Sequence, residues 1–259
     1  MKKLLAVLII LLALCACSNK TNDESTPEWA KNLGQENIIS IGTSPDYPPY
    51  ESLDTNGNIV GFEYDFMNEV IKIFNEQNNT NYELEWVQME FDTIISAVQI
   101  NNVDIGVSGF TWDEDRVSQV LFSSSYTDCG IVAVVPKDSD IKTLTDLEGK
   151  AIGAQMGTTC ADAAQAITDA DVSLIKDVNV LMANFSSGSY DVVVIDKPVA
   201  QAYCDANGFV MLDESIEDNA TYVITATNNE ALINQLNKAI DEFKTTAKYD
   251  ELQVAWGLK

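Results

Sequence analysis

Between residues 38 and 212 the hydrophobic period of the chain switches repeatedly, from two residues to three or four and back. Residues 38–43 are a β-like run ending in the turn Ser44-Pro45-Asp46-Tyr47-Pro48-Pro49-Tyr50. Asn56-Gly57, between Leu53 and Ile59-Val60, is a hairpin signal. Over residues 63–77, Phe66, Met67, Val70, Ile71 and Phe74 fall at helical spacing, and Tyr82, Leu84 and Trp86 then alternate as in a strand. Residues 91–100 are helical again, 103–108 read as a strand, and a helix starts at Asp113. After Tyr126 the alternation resumes. Strands are predicted at 130–137, 151–155, 172–178, 191–196 and 209–212. Helices lie between them at 158–168, around 180–185, and from Pro198, placed at the first helical position, to about Asn207. Residues 221–227 read as a strand crossing back, followed by a helix over 229–246. Two such runs predict two α/β lobes, residues 37–127 with 222–259 and residues 128–221. Two crossings between them imply a hinge and a cleft.

Charge and residue choice narrow the chemistry. The 259 residues carry a formal net charge of −25 and hold no basic patch, which excludes nucleic acid as a partner. There is no histidine, so Ser-His-Asp and Cys-His catalysis and histidine-ligated metals are absent. Acid–base work would fall to Lys, Asp, Glu, Tyr or Cys. Cys129, Cys160 and Cys204 are too widely spaced for a zinc motif. In an extracellular setting a Cys160–Cys204 disulfide with Cys129 free is the expected pairing.

The amino terminus reads as an address. Met1-Lys2-Lys3 is followed by an apolar run over residues 4–13, too short to span a bilayer comfortably. Leu14-Cys15-Ala16-Cys17 looks like a lipobox, with residues 1–17 as a lipoprotein signal peptide and Cys17 as the lipidated first residue of the mature chain. Two acyl chains on a diacylglyceryl cysteine suffice for stable anchoring. Residues 18–36 are polar and read as a tether, in which Trp29 and Leu33 could dock.

In open α/β sheets ligands bind beyond the carboxyl ends of the strands. Those positions hold Ser44 and Tyr47, Gln88 to Phe91, Ser108 to Thr111, Gly157-Thr158-Thr159 and Asp196. Arg116 stands close by in the chain, and it is the one arginine among fifteen basic residues. A guanidinium grips a carboxylate through two parallel hydrogen bonds, which lysine does not do. Gly157-Thr158-Thr159 opens a helix and favours an anion, and Gly109 permits close backbone approach. One cation, one anion and aromatic Tyr47 and Phe91 suit an α-amino acid. Each member also has a plainer reading. Arg116 could pair at the surface with Asp113 or Asp115, Thr158 and Asp196 could be helix caps, and the two aromatics could be core.

GFEYDFMNEV (residues 61–70), SGFTWDEDR, MGTT and VVVIDKP carry a family resemblance. From about residue 38 to residue 259 the chain resembles the bacterial extracellular solute-binding proteins of the polar amino-acid type (family 3), which feed ABC importers. The resemblance implies a type II periplasmic-binding-protein-like α/β fold, its lobes joined by two crossing strands. It also implies a monomer without cofactor or catalysis, on the outer face of the cell membrane (periplasmic in a Gram-negative cell), partnered by a membrane permease. By it, Arg116 clamps the ligand's α-carboxylate with Thr111 and the backbone N–H groups of Thr111 and Thr159. Asp196 takes the α-ammonium with the Gly109 carbonyl, and Tyr47 and Phe91 line the side-chain pocket. The position of Ser44 often carries an acid in relatives that bind basic amino acids. Serine there, with no lysine placed for an acidic side chain, favours a polar uncharged ligand. Two other readings stand beside this one: a dehydratase of cyclic carboxylates using Glu51, Glu90 or Asp196, and an amino-acid sensor that serves no transporter.

Overall fold

A computed structural model describes residues 26–259; the expected signal peptide, Cys17 and the first part of the expected tether lie outside these residues. The polar segment read as a tether docks on the packed body through Trp29 and Leu33, as its sequence allowed. Trp29, in a 3-10 turn over Glu28–Ala30, and Leu33 are buried, with Trp29 edge-on to Phe74 4.9 Å away. Two apolar side chains within five residues suffice to dock the segment.

The first sheet begins with β1 (Ile38–Thr43). A small antiparallel sheet follows, made of β2 (Asp46–Tyr47), β3 (Glu51–Leu53) and β4 (Ile59–Val60). Asn56 and Gly57 lie in its second turn, where Asp54 Oδ1 receives the Asn56 and Asn58 N–H groups. Helix α1 (Phe62–Asn78) buries Phe66, Met67, Val70, Ile71 and Phe74, the stripe predicted from its period. Each such side chain contributes about 1.5–3 kcal/mol before the entropy of ordering it. Next come β5 (Glu83–Gln88), α2 (Phe91–Gln99), the two-residue β6 (Ile105–Gly106), the single turn α3 (Glu114–Val117) and β7 (Val120–Phe122).

The second sheet is built from β8 (Thr127–Val135), β9 (Ala151–Gln155), β10 (Asp171–Ile175), β11 (Val192–Asp196), β12 (Val210–Met211) and β13 (Glu217–Thr221). Helices α4 (Thr159–Gln165), α5 (Val178–Ser186) and α6 (Lys197–Asn207) connect them. Its order is β10-β9-β11-β8-β12, with β13 also on β8. Then β14 (Ile224–Ala226) returns to the first sheet, giving β5-β1-β6-β14-β7. Helix α7 (Glu230–Phe243), which packs on α1, and α8 (Ala247–Ala255) finish the chain.

The two crossings lie side by side. Ser123 N–H donates to Val223 O, Tyr126 N–H to Thr221 O, and the Thr127 and Thr221 hydroxyls are 2.6 Å apart. The return differs from the single strand predicted over 221–227, because the chain leaves β13 and enters β14 after two residues. Helix α6 begins at Lys197, so Pro198 is its second residue, where a missing N–H is still harmless.

All three cysteines are free, which corrects the expected disulfide. Cys160 packs with Ile131, Ala133, Val192 and Val194, whereas Cys204 packs with the cluster holding Val132, Val134, Val193 and Ile195. Alternate residues of a strand face opposite sides, so the second sheet stands between these thiols.

Candidate functional site

Arg116 is the best test of the site, because it could have been an ordinary surface cation. The Asp113 side chain caps α3 by accepting the Asp115 N–H at 2.8 Å, so Asp113 is spent on the helix and not on the guanidinium. Arg116 is only 6% exposed. Its Nη1 donates to Thr111 O and its Nη2 to Gly157 O, each at 2.9 Å. Its Cζ lies 5.8 Å from the Phe91 ring and 5.7 Å from the Phe110 ring. None of the ion pairs among the described residues includes it. Burial pulls its pKa down, and Asp113, Asp162 and Asp196 act in the opposite direction. A buried guanidinium held by dipoles and aromatic faces, with no carboxylate on it, is poised for an anion.

Asp196 ends β11 and stands at the N-cap of α6, yet its side chain makes no cap hydrogen bond. Its oxygens face the cleft. Tyr47 Oη donates to Oδ2 at 2.7 Å, while the Cys160 and Cys129 thiols donate to Oδ1 at 3.5 and 3.6 Å. Burial raises the Asp196 pKa, and these donors work against the rise. All three donors are neutral, so the carboxylate is solvated by the protein without being neutralised.

The loop beneath both charges is held from behind. Gly109 has φ +61°, and a Cβ there would approach the Tyr47 ring to 3.2 Å, so both the backbone conformation and the space favour glycine. Its N–H donates to Glu63 Oε1 at 2.9 Å, and Ser108 Oγ donates to Glu51 Oε1 at 2.7 Å. Tyr126, at the first crossing, also donates its hydroxyl to Glu63 Oε1. Across the cleft, the Thr111 and Thr159 hydroxyls meet at 2.8 Å. Thr158 caps α4 by accepting the Ala161 N–H, and so has the capping role that its sequence also allowed.

Tyr47, Phe91, Gly109, Thr111, Arg116, Thr158, Thr159 and Asp196 all line one cavity, together with Ser108 and Gln155. Its volume is about 10 Å³. That is room for about one water, so an amino acid enters only after the lobes part. Ser44 is not in this wall; it lines a second cavity beside it, with Asp46 and Glu90. Of the acids named for dehydratase chemistry, only Asp196 lines the first cavity, since Glu51 is fully buried behind the loop. Sequence reading passed over Gln155, whose place at the end of β9 could have revealed it. It also passed over Asp46, inside the turn that follows β1, and the paired thiols on Asp196.

The model of the bacterial extracellular solute-binding proteins, family 3, matches residues 39–259. The chain belongs to that family. It is 29% identical to the arginine-binding extracellular protein ArtP of Bacillus subtilis (strain 168) over 266 aligned residues, which cover 99% of this chain and 98% of that one. The crystal structure of the substrate binding protein of an amino acid ABC transporter superposes with a TM-score of 0.78 at 31% identity, covering 86% of this chain and all (100%) of the other. An ancestral arginine-binding protein bound to arginine gives a TM-score of 0.79 at 31% identity, covering 85% of this chain and 98% of that chain. The two-lobe α/β architecture is therefore that of known amino-acid-binding family 3 proteins, and the cavity described above lies between the lobes.

Proposed function

We propose that this protein is the extracellular substrate-binding component of an amino-acid ABC importer. It binds a free L-amino acid between its lobes and acts by binding and closure, without turnover. Cys17 carries the lipid that holds it at the outer face of the membrane, and a permease receives the ligand. The observation that carries this reading is Arg116: a buried guanidinium without a counter-anion, in the same small cavity as an un-neutralised Asp196. An amino-acid zwitterion supplies both missing charges at once. Its carboxylate takes the fork of Arg116 beside Thr111, and its ammonium takes Asp196. Membership of the extracellular solute-binding family 3, and the arginine-bound structural relative, support the same assignment.

Titration calorimetry against the common L-amino acids tests it. Deleting one partner of a buried charge pair costs on the order of 3–5 kcal/mol, so Arg116→Ala is expected to lose at least roughly 100-fold in affinity. Its far-ultraviolet spectrum should be unchanged. Near-normal affinity in that variant would remove the proposal.

A further inference from the structure

We infer that the side-chain end of the site is acidic and takes an amino acid with a cationic side chain, Asp46 being its counter-charge. This rests on the amino-acid reading above and reverses the preference for an uncharged ligand that Ser44 suggested. Ser44 does not act alone. Its Oγ donates to Asp46 Oδ1 at 2.8 Å, so the acid missing from position 44 is supplied two residues later. Asp46 is 5% exposed and reaches across the cleft. Its Oδ2 accepts the Val178 N–H at 2.7 Å and the Gln155 Nε2 at 3.2 Å. Gln155 lines the ligand cavity, so Asp46 stands directly behind that wall.

Beyond it opens the second cavity, of about 420 Å³. Asp46, Glu90 and Asp177 line it, and no Lys or Arg does. Lys176, next to Asp177 in the chain, is spent on Asp92 at 2.9 Å. The groups facing Asp46 are thus Ser44 from its own turn, Asp177 and Val178 from the N-cap and first position of α5, Gln155 from β9, and Tyr203 from α6, which senses its charge. None is a cation. Burial, reinforced by Asp177, pushes the Asp46 pKa up to about 6 despite its hydrogen bonds. A carboxylate offers about four acceptor sites, and Oδ1 takes only the Ser44 hydroxyl from another residue. With Arg116 committed to the α-carboxylate, the positive charge for this pocket comes from the ligand. A side chain leaving the α-carbon between Tyr47 and Phe91 would displace the long Gln155 contact and end on Asp46. A neutral amide would leave the carboxylate buried among dipoles.

Calorimetry with L-arginine, L-lysine and L-glutamine near pH 7 decides this. Arginine or lysine should bind the parent protein more tightly than glutamine. Loss of one member of a buried charge pair predicts that Asp46→Asn lowers the arginine-to-glutamine affinity ratio by roughly 30-fold or more. Acidifying the parent protein through pH 6 should lower the same ratio, a measurement that needs no variant. Tightest binding of glutamine, or an equal loss for all three ligands in Asp46→Asn, would overturn the inference and leave Asp46 as a contact between lobes. If the parent protein bound no amino acid at all, the amino-acid reading itself would fail, and this inference with it.

Discussion

Glu51 and Glu63 sit fully buried behind the loop that carries Ser108 and Gly109, with no lysine or arginine among the described residues on either. Their first oxygens hold that loop, and no donor among the described residues reaches their second oxygens. Two carboxylates do not stay ionised together in a dry site, so one proton is shared between them. Repulsion from Glu63 adds to burial in raising the pKa of Glu51, which places the proton on Glu51. Burial lifts both above the ordinary glutamate value of 4.5. The folded protein therefore keeps a proton that the unfolded chain releases. Stability from this pair is full below that value and is lost as pH rises through the raised values. Glu51→Gln imitates the protonated acid, so it should flatten the decline in stability measured by urea unfolding between about pH 5 and pH 8. Asp46 and Asp196 leave a residual slope of the same sign. Glu51→Ala strands the Ser108 hydroxyl and should lose about 1–3 kcal/mol. An unchanged slope in Glu51→Gln would show that the pair holds no proton. None of this was legible in the sequence, where Glu63 looks like an ordinary first-turn acid and Glu51 like a loop residue. Only the fold brings them together.

At the scale of elements, the join between α1 and the hairpin sets the loop's position. Gly61 precedes α1 with φ +143°, and a Cβ on it would lie 2.1 Å from Tyr50 O. Space is that tight because the Phe62 and Glu63 N–H groups donate to Pro49 O and Tyr50 O, each at 2.9 Å. Backbone carbonyls from the turn bearing Tyr47 thus cap the helix in place of a side chain. Gly57 also has positive φ, +82°, but nothing lies within 4 Å of its Cβ position. Gly57→Ala should cost only the left-handed conformation, about 1–2 kcal/mol. Gly61→Ala adds a backbone overlap, and its melting temperature should fall at least roughly 6 °C below that of Gly57→Ala. Equal melting temperatures would mean the close approach is absent. The long periods that sequence reading used, in α1, α2 and α7, gave elements within a residue or two of their predicted bounds at most ends. Helix α8 was missed because only Tyr249 and Leu252 of its nine residues are buried, too few to mark a face. Strand β6 was predicted at 103–108 and keeps two residues, because its flanks hydrogen-bond to β1 outside a regular ladder.

At the scale of the whole molecule, the two-lobe α/β fold could be read from the chain, and eight of the nine residues expected at the ligand site line one cavity, because strand ends in α/β sheets converge on one crevice. What could not be read was how the lobes meet. In the closed arrangement Tyr47 reaches Asp196, Asp46 reaches Val178, Thr111 reaches Thr159 and Arg116 reaches Gly157. These contacts favour closure, while the burial of one cation and one anion without neutralisation opposes it. A zwitterion removes the opposing part, so its binding free energy differs between open and closed states, as a population shift requires. The radius of gyration from small-angle scattering should therefore fall when a bound amino acid saturates the parent protein. In the double variant Arg116→Met with Asp196→Asn, both charges are gone and the apolar and hydroxyl contacts remain. That variant should be as compact without ligand as the parent is with it, and should not respond to amino acid. Lys176–Asp92, a half-exposed pair, should matter little to either measurement beyond a modest salt dependence. If calorimetry shows saturation while the radius stays constant, closure does not accompany binding, and the two crossings are a fixed strut and not a hinge.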